Sequence, residues 1–169
     1  MVERDRVLMS CKLVWDSLDE YGPILESHAI DIDAPRFEGQ QLDEKDLLPV
    51  IDGYAGILAG DDILNRRVIE AASRLRVISK WGIGVDAIDL DAAKEAGIKV
   101  FNTPGVFGDE LGDYALGYLL MLARRQHEVD RRVRLGQWYK VRGTSLAGKT
   151  IGIIGLGSSG SALARRTAA

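Results

Sequence analysis

The sequence predicts an α/β protein, with a parallel sheet covered by helices on both faces. Two observations carry that expectation. Short apolar, β-branched runs alternate with helical patterns through roughly the first hundred residues, as strands buried on both faces do. Further on, the stretch GKTIGIIGLGSSG joins one more such run to a glycine-rich turn and a helical pattern.

The strand expectations, in order, are RVLMS, HAIDI, YAGILAG, LRVISKW and IKVFN. Between the third and fourth, NRRVIEAASRL places Val68, Ile69 and Ala72 on one helical stripe. In DLDAAKEAG, Asp89 is the expected N-cap and Gly97 the stop, because an aspartate accepts free amides at a helix start and glycine tolerates the left-handed exit. NTPG, Asn102 to Gly105, is the expected domain boundary. Pro104 disfavours helix at Thr103, and Gly105 adds freedom.

One long helix is then expected from about Gly108 to Leu135, stopping at Gly136. Asp109 and Glu110 sit in its first turn and Arg131, Arg132 and Arg134 in its last, as the helix dipole favours. Its first half is apolar almost all round, from Tyr114 to Leu122. A helix apolar on every face is expected to be buried on every face. Two readings remain open: an ordinary core helix, or a helix wedged between domains or subunits. Residues 150–154 are apolar on both faces and are expected to form a central strand, with a helix from Ser158.

Composition limits the function. The chain has 169 residues, 46% hydrophobic and 28% charged, with a net charge of −3. A packed core is expected, and disorder is not. The arginine pairs are interleaved with acids or apolar residues, so they read as solvated helix faces and no nucleic-acid partner is expected. Cys11 is the single cysteine. That excludes a disulfide framework, fits a cytoplasmic location, and makes a small buried apolar role the expectation. The first residues lack the apolar run of a signal peptide, and YALGYLLMLA is too short to cross a bilayer, so no membrane partner is expected.

Two constellations carry chemistry. Gly155-Leu156-Gly157-Ser158-Ser159-Gly160 fits G-x-G-x-x-G. The first glycine permits the tight turn, the second lets the backbone approach a pyrophosphate, and the third lets the helix pack closely. A helix N-terminus adds free amides and a positive dipole end. The acid that would hold the adenosine ribose lies about 20 residues beyond such a motif, so NAD and NADP are not separated. The second constellation is WGIGVDAIDL, at the carboxyl end of an expected strand, where open α/β sheets bind ligands. Gly82 and Gly84 allow successive amides to point into one concavity suited to a carboxylate. A plain strand-to-helix turn, with Asp86 and Asp89 in turn and cap roles, explains the same residues. His28 and His127 read as surface residues, without the partners of a base or a metal ligand, and no metal is expected.

With both constellations in view, the chain resembles the D-isomer-specific 2-hydroxyacid dehydrogenases, in their phosphoglycerate-dehydrogenase-like form. The resemblance runs from about Arg6 to the last residue. It is densest in LRVISKWGIGVDAIDLDAAKEAGIKVFNTPGVFGDELGDYALGYLLMLARR and in LAGKTIGIIGLGSSG. It implies a flavodoxin-like substrate domain over residues 1–104. Residues 105–169 would hold the interdomain helix and the first strand, turn and helix of a truncated Rossmann domain. Gly82, Ile83 and Gly84 match the loop that holds the substrate carboxylate, which favours the nest over the plain turn. Gly155 to Gly160 match the cofactor-binding turn for NAD or NADP, with Ser159 where an aliphatic residue is usual. The long apolar helix matches one lying between domains and near a homodimer interface.

The implied activity is hydride transfer between a nicotinamide and C2 of a small 2-hydroxy acid or 2-keto acid, 3-phosphoglycerate among the candidates. The arginine, glutamate and histidine that perform it in the family lie beyond the glycine motif and match no residue of this chain. Hence no catalytic residue is assigned, and the 169 residues alone are expected to be inactive. The alternative is a non-enzymatic remnant that dimerises or binds small acids. A receiver-like signalling domain is the weakest reading, because no clustered acidic pocket is visible.

Overall fold

A computed structural model describes residues 4–168. The chain divides into two compact units, Met1–Pro104 and Gly105–Ala169.

The first unit holds five parallel strands: β1 (Asp5–Met9), β2 (Ile30–Asp33), β3 (Gly56–Ala59), β4 (Val77–Lys80) and β5 (Lys99–Phe101). They lie in the order β2-β1-β3-β4-β5. Its helices are α1 (Leu18–Ser27), α2 (Glu44–Leu47), α3 (Arg66–Ala71) and α4 (Leu90–Glu95). This is a doubly wound sheet whose strand order reverses between β1 and β3. All five expected strands form. Leu8, Ile57 and Ile78 pack with Val68, Ile69, Ala92 and Ala93 in one core. Met9, Cys11 and Val14 form a second buried cluster.

The helix starts follow from side-chain chemistry. Asn65 accepts from the Val68 amide at 3.1 Å, and Asp89 accepts from the Ala92 amide at 2.8 Å. Asp43 and Asp46 cap α2 reciprocally. Gly97 leaves α4 at φ +71°, as expected of a helix stop.

The second unit is helical: α5 (Gly108–Arg124), α6 (Gln126–Arg134) and α7 (Ser158–Thr167). Three expectations are corrected here. The single helix over 108–135 is two helices, broken at Arg125, which adopts φ +54°. Thr144 N donates to Ala123 O at 2.6 Å, taking a carbonyl that a continuous helix would offer to His127. Interception of the ladder breaks a helix. Second, α5 is not buried on every face. Gly108 and Gly112 are its buried residues, while Tyr114, Tyr118 and Leu122 are exposed. Among the described residues α7 is the helix packed along α5, and it covers one stripe of it. Third, residues 150–154 form no strand, and Ile154 is fully exposed. A strand exists only with a ladder partner, and this segment meets none among the described residues.

The contact of α5 with α7 depends on small residues. A Cβ on Gly112 would lie 2.8 Å from the Ala162 Cβ, and one on Gly108 would lie 3.1 Å from the Ser158 Cβ. Arg166 bridges Asp113 at 2.5 Å and Asp109 at 3.2 Å across the same pair of helices. Among the described residues, no helix is long and apolar enough to cross a membrane.

Candidate functional site

The loop after β4 lies at the carboxyl edge of the sheet. Trp81 N still donates to Ala59 O at 2.9 Å, extending the β3 pairing by one bond. Gly82 then turns at φ +129°, a conformation open to glycine and strained for other residues. The far end of the loop is braced by Leu64, whose amide donates to Ala87 O and whose carbonyl accepts from Asp89 N, both at 2.9 Å.

Three consecutive carbonyls in this loop are held. Trp81 O accepts from the Lys80 ammonium at 2.9 Å. Gly82 O accepts from Thr103 N at 2.9 Å, and Ile83 O accepts from Asn102 Nδ2 at 2.7 Å. A trans peptide is planar, so its N–H points away from its C=O, and the chain has no cis bond among its described residues. Tying these carbonyls therefore directs the Gly82, Ile83 and Gly84 amides to the opposite side. None of the three donates to another group among the described residues. Successive free amides in a turn make an anion-binding concavity.

Lys80 braces the carbonyl face of the loop. Its side chain is 8% exposed and also bridges Asp61 at 2.9 Å. The ammonium lies 3.4 Å from where a Cβ of Gly82 would stand. Beside it, a cavity of about 370 Å³ is lined by Cys11, Lys12, Gly60, Asp61, Lys80 and Trp81. These residues end or follow β1, β3 and β4, so the cavity opens where the strand order reverses, the usual ligand position in such sheets.

Asp62 organises the same edge. Although 1% exposed, it accepts from the Leu42 amide at 2.8 Å, the Gly60 amide at 2.9 Å and the Ser10 hydroxyl. Three donors compensate a buried carboxylate. Burial pushes the Cys11 thiol above its ordinary pKa, which disfavours the thiolate a nucleophile needs. His28 and His127 are both exposed. Among the described residues, no group of three or more His, Cys, Asp or Glu could hold a metal ion.

The glycine turn lies in the second unit. Gly155 adopts φ +87°, and Gly157 is the residue before α7. A Cβ on Gly157 would meet nothing within 4 Å, whereas one on Gly160 would stand 2.1 Å from Gly155 O. The second glycine thus leaves its backbone open to an approaching group, and the third allows the turn to close. The Ser161 hydroxyl donates to Leu156 O at 3.1 Å, and Ser161 N donates to Gly157 O at 2.9 Å. The amides of Ser158, Ser159 and Gly160 precede the first helical bonds and are free for an anion. Ser159 is half-buried beside a cavity of about 490 Å³ that the turn lines with Leu111, Ala115 and Leu163.

Each group of sequence-predicted site residues is therefore gathered within its own unit. The sequence alone singles out none of Asn102, Lys80 and Asp62. NTPG reads as a boundary, and the asparagine in it carries a signal only once the sheet sets it beside the loop.

The family model described as D-isomer specific 2-hydroxyacid dehydrogenase, catalytic domain, matches residues 12–168. The chain is 41% identical over 111 residues to the glyoxylate reductase of Thermofilum pendens, a match covering 62% of this chain and 33% of that protein. Its structure is similar to that of the TT0316 protein from Thermus thermophilus, with a TM-score of 0.83 and 32% identity, over 96% of this chain and 52% of that one. It is also similar to an NADPH-dependent glyoxylate/hydroxypyruvate reductase from Sinorhizobium meliloti, solved with NADP and malonate. There the TM-score is 0.76 at 26% identity, over 98% of this chain and 50% of that one. The matches thus span about a third of this curated relative and about half of these solved ones.

Proposed function

Because the chain belongs to the D-isomer specific 2-hydroxyacid dehydrogenase family, we propose that it supplies the substrate-carboxylate grip and the pyrophosphate turn of an NAD(P)-dependent dehydrogenase. Its substrate is a small 2-hydroxy acid or the corresponding 2-keto acid, with glyoxylate, hydroxypyruvate and phosphoglycerate-type acids as candidates. The single observation carrying this reading is the set of free amides at Gly82, Ile83 and Gly84, each fixed by the tied carbonyl on the other side of its peptide.

In this reading residues 1–104 serve as the substrate domain and residues 105–169 open the dinucleotide domain of a cytoplasmic enzyme that is a homodimer at full length. The Ile83 and Gly84 amides hold the acid's carboxylate, and Lys80, paired with Asp61, braces the loop from its carbonyl face. Holding the carboxylate fixes the orientation of C2, and orientation is a large part of the barrier in a two-reactant step. Gly155, Gly157 and the amides of residues 158–160 fit a pyrophosphate: the turn is closed, its backbone is open at Gly157, and its donors are free. Bound NAD or NADP supplies the hydride chemistry.

The exposed His28 and His127 match no part of the family's proton-transfer motif. The 169 residues alone therefore do not turn over, since a missing general acid/base costs about 10²–10⁴-fold. The test is oxidation of NADH or NADPH by a panel of 2-keto acids. Turnover is expected from the full-length enzyme and none from the 169 residues; a full-length enzyme that reduces no 2-keto acid would refute the dehydrogenase reading, and ordinary turnover by the 169 residues would refute their inactivity.

A second reading keeps the acid grip without the chemistry. The self-sufficiency of the first unit favours it: the five-stranded sheet and the core that carry the 82–84 loop use no residue of 105–169. It is distinguished by acid binding without NAD(P) binding in the full-length protein.

A further inference from the structure

We propose that Asn102 is a positioning residue for the carboxylate grip, acting through the Ile83 carbonyl. This rests on residues 82–84 being the carboxylate site.

The three tied peptides are not held alike. Gly82 O is fixed by a main-chain amide, Thr103 N, which survives any change of side chain. Ile83 O is fixed by Asn102 Nδ2 at 2.7 Å, and no main-chain donor reaches it among the described residues. The peptide concerned joins Ile83 to Gly84, and peptides beside glycine rotate at little steric cost. A side chain 19 residues away in the sequence therefore sets which way the Gly84 amide points. The assignment of the amide is unambiguous: a carbonyl can only accept, so the nitrogen of Asn102 must face it.

The local sequence explains why Asn102 is in place. β5 ends at Phe101, and Pro104 biases Thr103 toward an extended conformation. The chain thus continues alongside the loop for two more residues, putting Asn102 and Thr103 against consecutive carbonyls. Asn102 does not need to touch the acid. Its effect is to keep the Gly84 donor from turning away, which lowers the ordering cost of binding.

The chemistry provides its own control. Asn102→Asp is nearly isosteric, but an ionised carboxylate is an acceptor only. It repels Ile83 O and favours the flipped peptide. Once protonated, the same carboxyl can donate, and the native orientation returns.

The experiment measures oxamate binding to the full chain by calorimetry across pH, with the Gly84 amide followed by NMR, for wild type, Asn102→Ala and Asn102→Asp. Each variant is read as a ratio to wild type at the same pH, which cancels the titration of oxamate. Asn102→Ala is expected to bind roughly threefold to tenfold more weakly, the worth of one hydrogen bond. Asn102→Asp is expected to bind more weakly still at neutral pH and to recover toward wild type as its carboxyl protonates. Variants that bind as wild type does would overturn the proposal. So would an Asn102→Asp defect unchanged by pH in a folded protein, because that marks a packing role. If oxamate leaves the wild-type Ile83 and Gly84 amides unmoved, the carboxylate site itself is wrong and the proposal falls with it.

Discussion

The Tyr54 hydroxyl donates a 2.6 Å hydrogen bond to Asp33 Oδ2, joining the approach to β3 to the end of β2. Burial and the neighbouring carboxylate push the Tyr54 pKa up to about 12, with Arg6 acting weakly the other way. The folded state therefore favours the protonated phenol. Its contribution is fully present below the unfolded value of about 10 and is lost as pH rises toward about 12. Denaturant unfolding is expected to lose about 2–3 kcal/mol over that window. Tyr54→Phe should be less stable near neutrality and flatter from pH 10 to 12; an equally steep alkaline loss would contradict this origin.

Asp62 ties β1, β3 and the segment before α2 together through Ser10, Gly60 and Leu42. Asp62→Ala leaves buried donors without an acceptor. A loss of about 3–5 kcal/mol is expected, comparable to breaking a buried charged network. A thermal melt unchanged by this substitution would show that the network is dispensable.

Glycines in α5 separate close approach from simple flexibility. Gly112→Ala places a methyl 2.8 Å from the Ala162 Cβ and should destabilise the second unit by about 1–3 kcal/mol through overpacking. Gly117→Ala meets nothing within 4 Å and should stabilise it by about 0.5–1 kcal/mol, the helix-interior cost of glycine. Equal effects at the two sites would refute the close packing of α5 on α7.

Residues 150–157 carry apolar side chains without a ladder. Ile154 and Leu156 are exposed, and no strand pairs with the segment among the described residues. Amide exchange there should be fast, while β3 and β4 are protected. Strong protection across 150–157 in the monomer would show that a partner strand forms.

The first unit was legible in the sequence because its elements are locally determined. Buried parallel strands are β-branched and apolar, and Asn65, Asp89 and Gly97 each act on the helix they border. The second unit resisted because its elements depend on distant partners. Nothing near Arg125 announces a left-handed residue; the break depends on Thr144 reaching Ala123 O. Ile151, Ile153 and Ile154 have strand-forming chemistry, but a strand also needs a second one beside it. At the candidate site, glycine spacing leaves a nest and a plain turn open for Gly82, Ile83 and Gly84, and the family resemblance favours the nest. Lys80 was not legible, because a lysine ending an apolar strand looks like any strand terminus until its ammonium is seen on Trp81 O and Asp61.

Residues 82–84 are proposed to grip a 2-keto acid by their amides. The most direct test is an ¹⁵N-resolved NMR titration of the wild-type chain with oxamate. The Gly82, Ile83 and Gly84 amides are expected to shift most, to saturate together, and to do so without any cofactor present. Saturable binding that leaves those three amides unmoved and shifts another region instead would contradict the proposal.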